Sequence, residues 1–235
     1  ALVGTAEAQA AAPVCTLPQT TPVPRPYGPS TNDPVRKVPI VYYSLSASWS
    51  PQYCRDSRGM GGTFSKNFQC DRTTNQFGFV LHGLWPDGQG KSWPQYCRPA
   101  NLLSAATIRA NLCMTPSADL LQHEWAKHGT CMSRTPDDYF GAARKAYAQL
   151  RFPDMTELAR RDDLTVGDFT QAFLQANKGG PKGISQRAVQ IALTDEGWLS
   201  EVRVCMNRRR HFAPCPTDNG GAVAATKPMR IWLPQ

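Results

Sequence analysis

Eight cysteines, spread from Cys15 to Cys215, constrain this 235-residue chain more than any other feature. Their number is even and none forms a Cys-x-x-Cys pair, so the usual zinc-ribbon and thioredoxin spacings are missing. Dispersed cysteines in even number point to four disulfides and an oxidising compartment. The N-terminal ALVGTAEAQAAAP agrees, because small apolar residues lead to Ala8-Gln9-Ala10, an Ala-x-Ala context like the end of a secretory signal. No charged segment precedes it, so most of such a signal would already be absent. Nowhere does an apolar run approach the ~20 residues that cross a bilayer as a helix. The expectation is an exported protein, secreted or periplasmic, without a transmembrane segment.

Eight of the twenty prolines fall between Pro13 and Pro39. Proline has no backbone donor and favours extended conformations, so residues 1–37 read as a signal remnant followed by a proline-rich arm. Residues 38–235 then read as one domain, since no repeat or second composition shift divides them. VPIVYYSLSASW predicts a strand ending at Trp49, followed by a polar, glycine-rich loop between Cys54 and Cys70. FGFVLHGLW, Phe77 to Trp85, predicts a buried strand stopped by Pro86. Four helical patterns follow: Asn101 to Met114, about Ser117 to Gly129, one opening at Thr135-Pro136-Asp137-Asp138, and one at Thr165-Val166-Gly167-Asp168. AVQIAL and WLSEVRVCM flank a turn at Thr194 to Gly197 as a hairpin, and RIWLP is a candidate last strand. Strands at both ends with helices between them give an α+β class.

The most informative stretch is HEWAKHGTC, residues 123–131. On an α-helix His123, Lys127, Glu124 and His128 fall at about 0°, 40°, 100° and 140°, one polar face. A zinc site of the His-Glu-x-x-His kind needs the histidines at i and i+4; here they stand five apart, about 140° round the helix, which hinders joint ligation. A solvated charged face with a Glu124–His128 pair is the bland alternative. Against it stands a second cluster, LHGLWPDG, which places His82 near a strand exit beside Trp85, Pro86 and Asp87.

The surplus of 26 Lys+Arg over 18 Asp+Glu gives a net charge of +8 and favours polyanionic partners. A basic, exported chain with histidines on two elements and a lysine between two of them suits one reaction well: cleavage of RNA by its own 2′-hydroxyl. The nucleophile is already held beside the phosphorus, so a base and an acid suffice. Histidine fills either role near neutral pH, and a lysine stabilises the developing phosphoryl charge.

At these residues the chain resembles the ribonuclease T2 family of secreted endoribonucleases. FVLHGLWPDG and HEWAKHGTC are similar to that family's two active-site segments, and SLSASWSPQYC to its first core strand. The resemblance implies a central antiparallel sheet with helices packed around it over residues 38–234, no cofactor and no metal, and single-stranded RNA cut with little base specificity. It further implies a 2′,3′-cyclic phosphate, hydrolysed more slowly to a 3′-phosphate, and the protein is expected to be a monomer. His82 and His128 match the acid–base pair, with His128 the usual base and His82 the usual acid; composition and spacing do not distinguish them. His123 matches the phosphate-binding histidine, and Glu124 and Lys127 the pair that stabilises the pentacoordinate phosphorus. Trp85 and Asp87 match a base pocket, for which an aromatic face is suited. Pro116, Ser117 and Leu120 are candidates for a second. Resemblance and proximity together pair Cys54 with Cys70, Cys97 with Cys131, Cys205 with Cys215 and Cys15 with Cys113.

Two features lie outside that match. The arm and the glycine-rich Arg58 to Lys66 loop bear on substrate approach, and Asn207-Arg208-Arg209-Arg210-His211 is the densest basic run, either an RNA-tracking surface or a solvated loop. A non-catalytic RNA-binding or surface protein on the same fold is the rival reading, opposed by the intact histidine, glutamate and lysine set.

Overall fold

The computed structural model describes residues 14–59 and 68–234; the signal-like segment and most of the glycine-rich loop lie outside them. Four strands form one antiparallel sheet in the order β2-β1-β4-β3: β1 Tyr42–Trp49, β2 Phe79–Asp87, β3 Val189–Leu193 and β4 Leu199–Met206. The class is α+β, as expected.

The alternation in β1 explains why the sheet has two unlike faces. Ser44, Ser46 and Ser48 point one way, Leu45, Ala47 and Trp49 the other. The apolar set joins Val202 and Val204 of β4, with Phe169 and Phe173 behind them, in the main core. The serine face carries Glu201 and Arg203, which pair across β1 at Ser48 and Ser46. In β2, Gly83 pairs with Ser46 and Leu81 with Ala47, so His82 is the extra residue of a β-bulge. Bulges re-aim side chains, and this one turns His82 towards the serine face.

The helices are α1 Ser50–Gly59, α2 Ala105–Asn111, α3 Ala118–Glu124, α4 Thr130–Met132, α5 Pro136–Tyr147, α6 Met155–Ala159 and α7 Val166–Ala176. Side-chain oxygens of Ser104, Ser117, Thr135, Asp154 and Thr165 cap α2, α3, α5, α6 and α7. Thr165 and Asp168 form the full reciprocal box.

Several expectations need correction. The region after Cys54 begins as helix α1; Pro51 is tolerated in its first turn, where backbone donors lack partners anyway. Strand β2 runs through Pro86, which is possible because β2 is a sheet edge. The helix expected from Asn101 starts only at Ala105 and ends at Asn111. RIWLP is no strand: Arg230 makes a single bridge to Trp198, and Trp232 offers its carbonyl to the Trp49 indole at 2.8 Å. Helix α6 was not anticipated.

All four expected disulfides are present: Cys15–Cys113, Cys54–Cys70, Cys97–Cys131 and Cys205–Cys215. The first ties the arm to the segment after α2. Between its tether and β1 the arm packs on the body, where Arg25 holds the Asp119 carboxylate at 2.8 Å and Arg36 bridges Gln95.

Candidate active site

The segment 118–132 is not one α-helix. Between α3 and α4 the chain makes a π-helical turn, Trp125–Gly129, with a longer repeat per turn. This overturns the angular reading made on α-helical geometry. With the wider turn, residues five apart share a face, and the His123 and His128 rings lie 6.4 Å apart, edge to face. Ligand atoms of His123, Glu124 and His128 come within 4.8 Å of one another, so spacing alone does not separate them. Glu124, however, is already committed: Oε2 accepts from the Trp85 indole at 2.8 Å, with the Tyr139 hydroxyl at 3.5 Å, and Oε1 lies 3.6 Å from His82 Nε2. The Glu124–His128 surface pair does not form, because both residues are buried.

Gly83 makes this junction possible. A Cβ there would lie 2.0 Å from Glu124 Oε2 and 2.7 Å from Trp85 Nε1, so only glycine lets β2 and the helix meet. Both imidazoles pack against Trp85, whose ring lies 5.0 Å from His82 and 5.7 Å from His128. The Arg203 guanidinium lies 5.2 Å from the same indole. Asp87 lies two residues beyond Trp85 on the same face and accepts from Ser44 at 2.6 Å; burial raises its pKa to about 6.

The two central imidazoles have opposite surroundings. His82 Nδ1 is hydrogen-bonded to Glu201, whose Oε1 also accepts from Ser48 at 3.1 Å and whose Oε2 accepts from both Arg203 Nη2, at 2.8 Å, and Nε. Burial alone would lower the His82 pKa, but the Glu201 hydrogen bond and the charges of Glu124 and Glu201 outweigh it and raise the pKa. Burial would raise Glu201, yet His82 and Arg203 hold it down at about 2. His128 is pushed well below the usual imidazole range by burial, then by Lys127, His123 and His82. Its Nδ1 has no hydrogen-bond partner among the described residues. Burial and Lys127 also lower His123. Glu124 is raised to about 7 by burial, against His82 and Trp85.

Two contributors were not singled out from the sequence. Glu201 sits in the late hairpin, with no local signature. Asp33 comes from the arm: Oδ2 is 2.8 Å from Lys127 Nζ and accepts from Tyr96 at 3.0 Å, while Gln95 donates to Oδ1 at 2.8 Å. Tyr27, also from the arm, stands edge-on to His123 at 5.1 Å. Beside it opens a cavity of about 530 Å³, walled by Pro116, Ser117 and Leu120 together with Tyr27, Tyr53 and Phe68.

Comparison with known proteins identifies the family. The sequence model of the ribonuclease T2 family matches residues 40–215. A probable ribonuclease of Haemophilus influenzae is 33% identical over 138 residues, 54% of this chain and 49% of that protein, so the match spans about half of that relative's length. Ribonuclease DdI of Dictyostelium discoideum is 26% identical over 203 residues, covering 79% of this chain and 82% of its own. The solved structure of trichomaglin, described as an S-like ribonuclease, has the same fold, with a TM-score of 0.61 at 18% identity, over 80% of this chain and 96% of that one. The chain belongs to the ribonuclease T2 family.

Proposed function

We propose that the protein is an endoribonuclease that cleaves single-stranded RNA by 2′-hydroxyl transesterification, without a metal. The observation that carries this reading is that two imidazoles packed against one indole, at 5.0 and 5.7 Å, are displaced in opposite directions. A base must be neutral and an acid protonated at the working pH, and groups with separated pKa values divide those roles. His128, held low, takes the proton from the 2′-hydroxyl as O2′ attacks phosphorus. His82, held high by Glu201, gives its proton to O5′ as the P–O5′ bond breaks. The products are a 2′,3′-cyclic phosphate and a free 5′-hydroxyl. In the slower second step His82, now neutral, takes a proton from water as its oxygen attacks phosphorus, and His128 returns one to O2′ as the P–O2′ bond breaks, leaving a 3′-phosphate.

Lys127, whose charge is felt at His123 and His128, suits the developing phosphoryl charge together with His123. Glu124 holds Trp85 and faces Nε2 of His82. Trp85 and Asp87 are the candidate pocket for one base, and the cavity at Pro116, Ser117 and Leu120 for the other. A monomer is the proposed working unit. Four disulfides support the periplasm or the extracellular space as its compartment.

The test is an incubation with single-stranded RNA in the presence of a chelator, followed by end analysis. Cyclic phosphate ends and survival of an all-deoxy substrate are expected. Uncut RNA, cleavage abolished by the chelator, or cleavage of DNA at a comparable rate each overturns the reading.

A further inference from the structure

A second cleft, of about 1080 Å³, is lined by none of His82, His123 and His128. Its floor includes Leu84, Met206 and Phe212. Leu84 is in register with Leu45 and Val204, whereas Trp85 and Arg203 project from the other face, so this cleft is backed by the face of the sheet opposite the catalytic groups.

Its rim is cationic. Arg134, Lys145, Lys182, Arg209 and Arg210 all line it, with His211 beside them and Asp138 as the one carboxylate. They come from four separate stretches of chain, and all five cations are exposed. None forms an ion pair among the described residues. Unpaired like charges held around one concavity repel one another and lower their energy by gathering a polyanion.

The rim is also rigidly built. Asn207 accepts at Oδ1 from the Arg209 and His211 amides at 2.9 and 3.2 Å, and its own amide donates to the His211 carbonyl at 2.8 Å. The Cys205–Cys215 bridge closes the base of this turn. Across from it, a Cβ on Gly183 would lie 1.8 Å from the Phe212 carbonyl oxygen, and its φ is +93°. Only glycine therefore lets the Lys182 segment close against the arginine turn. The backbone that carries these side chains therefore has little entropy left to lose on binding.

We propose that this cleft binds the phosphate backbone of single-stranded RNA at nucleotides remote from the scissile bond, a site separate from the acid–base centre. The proposal rests on RNA being the substrate. Such a site adds affinity for long chains and none for a substrate that ends at the scissile linkage. Its contribution is electrostatic and indifferent to base, so it is strongly salt-dependent.

The experiment compares the native protein with the variant K145Q/K182Q/R209Q/R210Q, none of whose positions touches the acid–base centre. Binding of a long 2′-O-methyl oligonucleotide, which lacks the nucleophile, is measured against salt, together with kcat/KM on a dinucleotide. The expected result is an affinity loss of at least about tenfold for the long oligonucleotide, with the slope of log K against log salt shallower by about 3. Dinucleotide cleavage stays unchanged. An unaltered slope overturns the proposal, as does an equal loss on the dinucleotide. Loss of binding to phosphatidylglycerol vesicles with unaltered RNA binding overturns it too, and assigns the cleft to a lipid surface. If the native protein cuts no RNA but the slope falls as expected, the cleft stands and the catalytic reading fails.

Discussion

Glu201 of β4 holds the Nδ1 of His82 on β2, although β1 lies between the two strands and 119 residues separate them in the chain. The contact crosses the serine face of the sheet, where Ser48 is small enough to let the two side chains meet and adds a hydrogen bond of its own to Glu201. With Nδ1 bound to a carboxylate, the ring is fixed as a donor there, and Nε2 is presented to the site. In the proposed mechanism Glu201 touches no reacting atom and acts as a positioning residue for the proposed acid, His82.

Replacing it tests the assignment of roles. In E201Q the ring keeps a hydrogen-bond partner but loses the neighbouring charge that raises its pKa. An acid must be protonated, so the alkaline limb of the kcat/KM profile is expected to move to lower pH while the acid limb, set by His128, stays. The rate loss at neutral pH should fall short of the ~10²–10⁴ that a general acid contributes. An unmoved alkaline limb shows that His82 is not the acid.

The same pair carries a stability signature. The lowered Glu201 contributes stability that is present above its unfolded pKa, about 4.3, and lost as pH falls through about 2. The raised His82 contributes stability that is fully present below about 6.5 and lost as pH rises through its folded value. Denaturant unfolding of wild type and E201Q should therefore differ most between about pH 4.3 and 6.5, and the gap should narrow on the alkaline side. A gap that widens with alkali excludes an ionised pair.

Gly83 sets a steric requirement that a melting curve and a rate together can read. In G83A the new methyl must displace the Glu124 carboxylate or the Trp85 indole, because the β2 backbone is fixed by its pairing to β1. The expected cost is about 1–3 kcal/mol of stability from overpacking. At a temperature where the fold is intact, kcat is expected to fall by a larger factor than KM changes, since Glu124 or Trp85 leaves its place around His82. Wild-type activity in G83A would show that this junction is not needed.

What the sequence made legible was local. Thr135 and Thr165 announced their helices because a cap bonds within three residues, and Gly197 announced the hairpin because its φ of +83° suits a turn. The acid–base candidates were legible because they sit in two short segments. The π-helical turn was not, since nothing in Trp125-Ala126-Lys127-His128-Gly129 departs from an ordinary helix; packing of Gly129 under Trp125 and Tyr139 accompanies it. Glu201 was hidden for another reason: its partner is set by strand order, which periodicity does not give. Asp33 lay in an arm that proline content marked only as extended.

The arm's tether predicts a measurable loss. Cys15–Cys113 closes a segment of 98 residues, and bridges over such spans stabilise by about 2–5 kcal/mol. C15S/C113S should unfold at lower denaturant, and amide exchange near Asn75, Gln76 and Asp119, the arm's contacts, should quicken while the sheet stays protected. Equal quickening throughout the sheet would make the arm part of the core, not a strap across it.

Asp33 is the arm's most consequential residue, because its carboxylate sits on the ammonium group that the proposed reaction uses. Tyr96 and Gln95 hold it there, and with Lys127 they keep its pKa low against the effect of burial. A phosphoryl group arriving at Lys127 must share that ammonium with a fixed negative charge or displace it. D33N keeps an acceptor for Tyr96 and removes the charge. The expected outcome is a KM for RNA lower by up to about fivefold, equivalent to about 1 kcal/mol for a partly exposed pair. kcat should stay level or fall slightly as Lys127 loses its anchor. A higher KM in D33N would reverse the sign of the argument and make Asp33 the residue that aims the lysine at its substrate, with the arm then a supporting wall of the site.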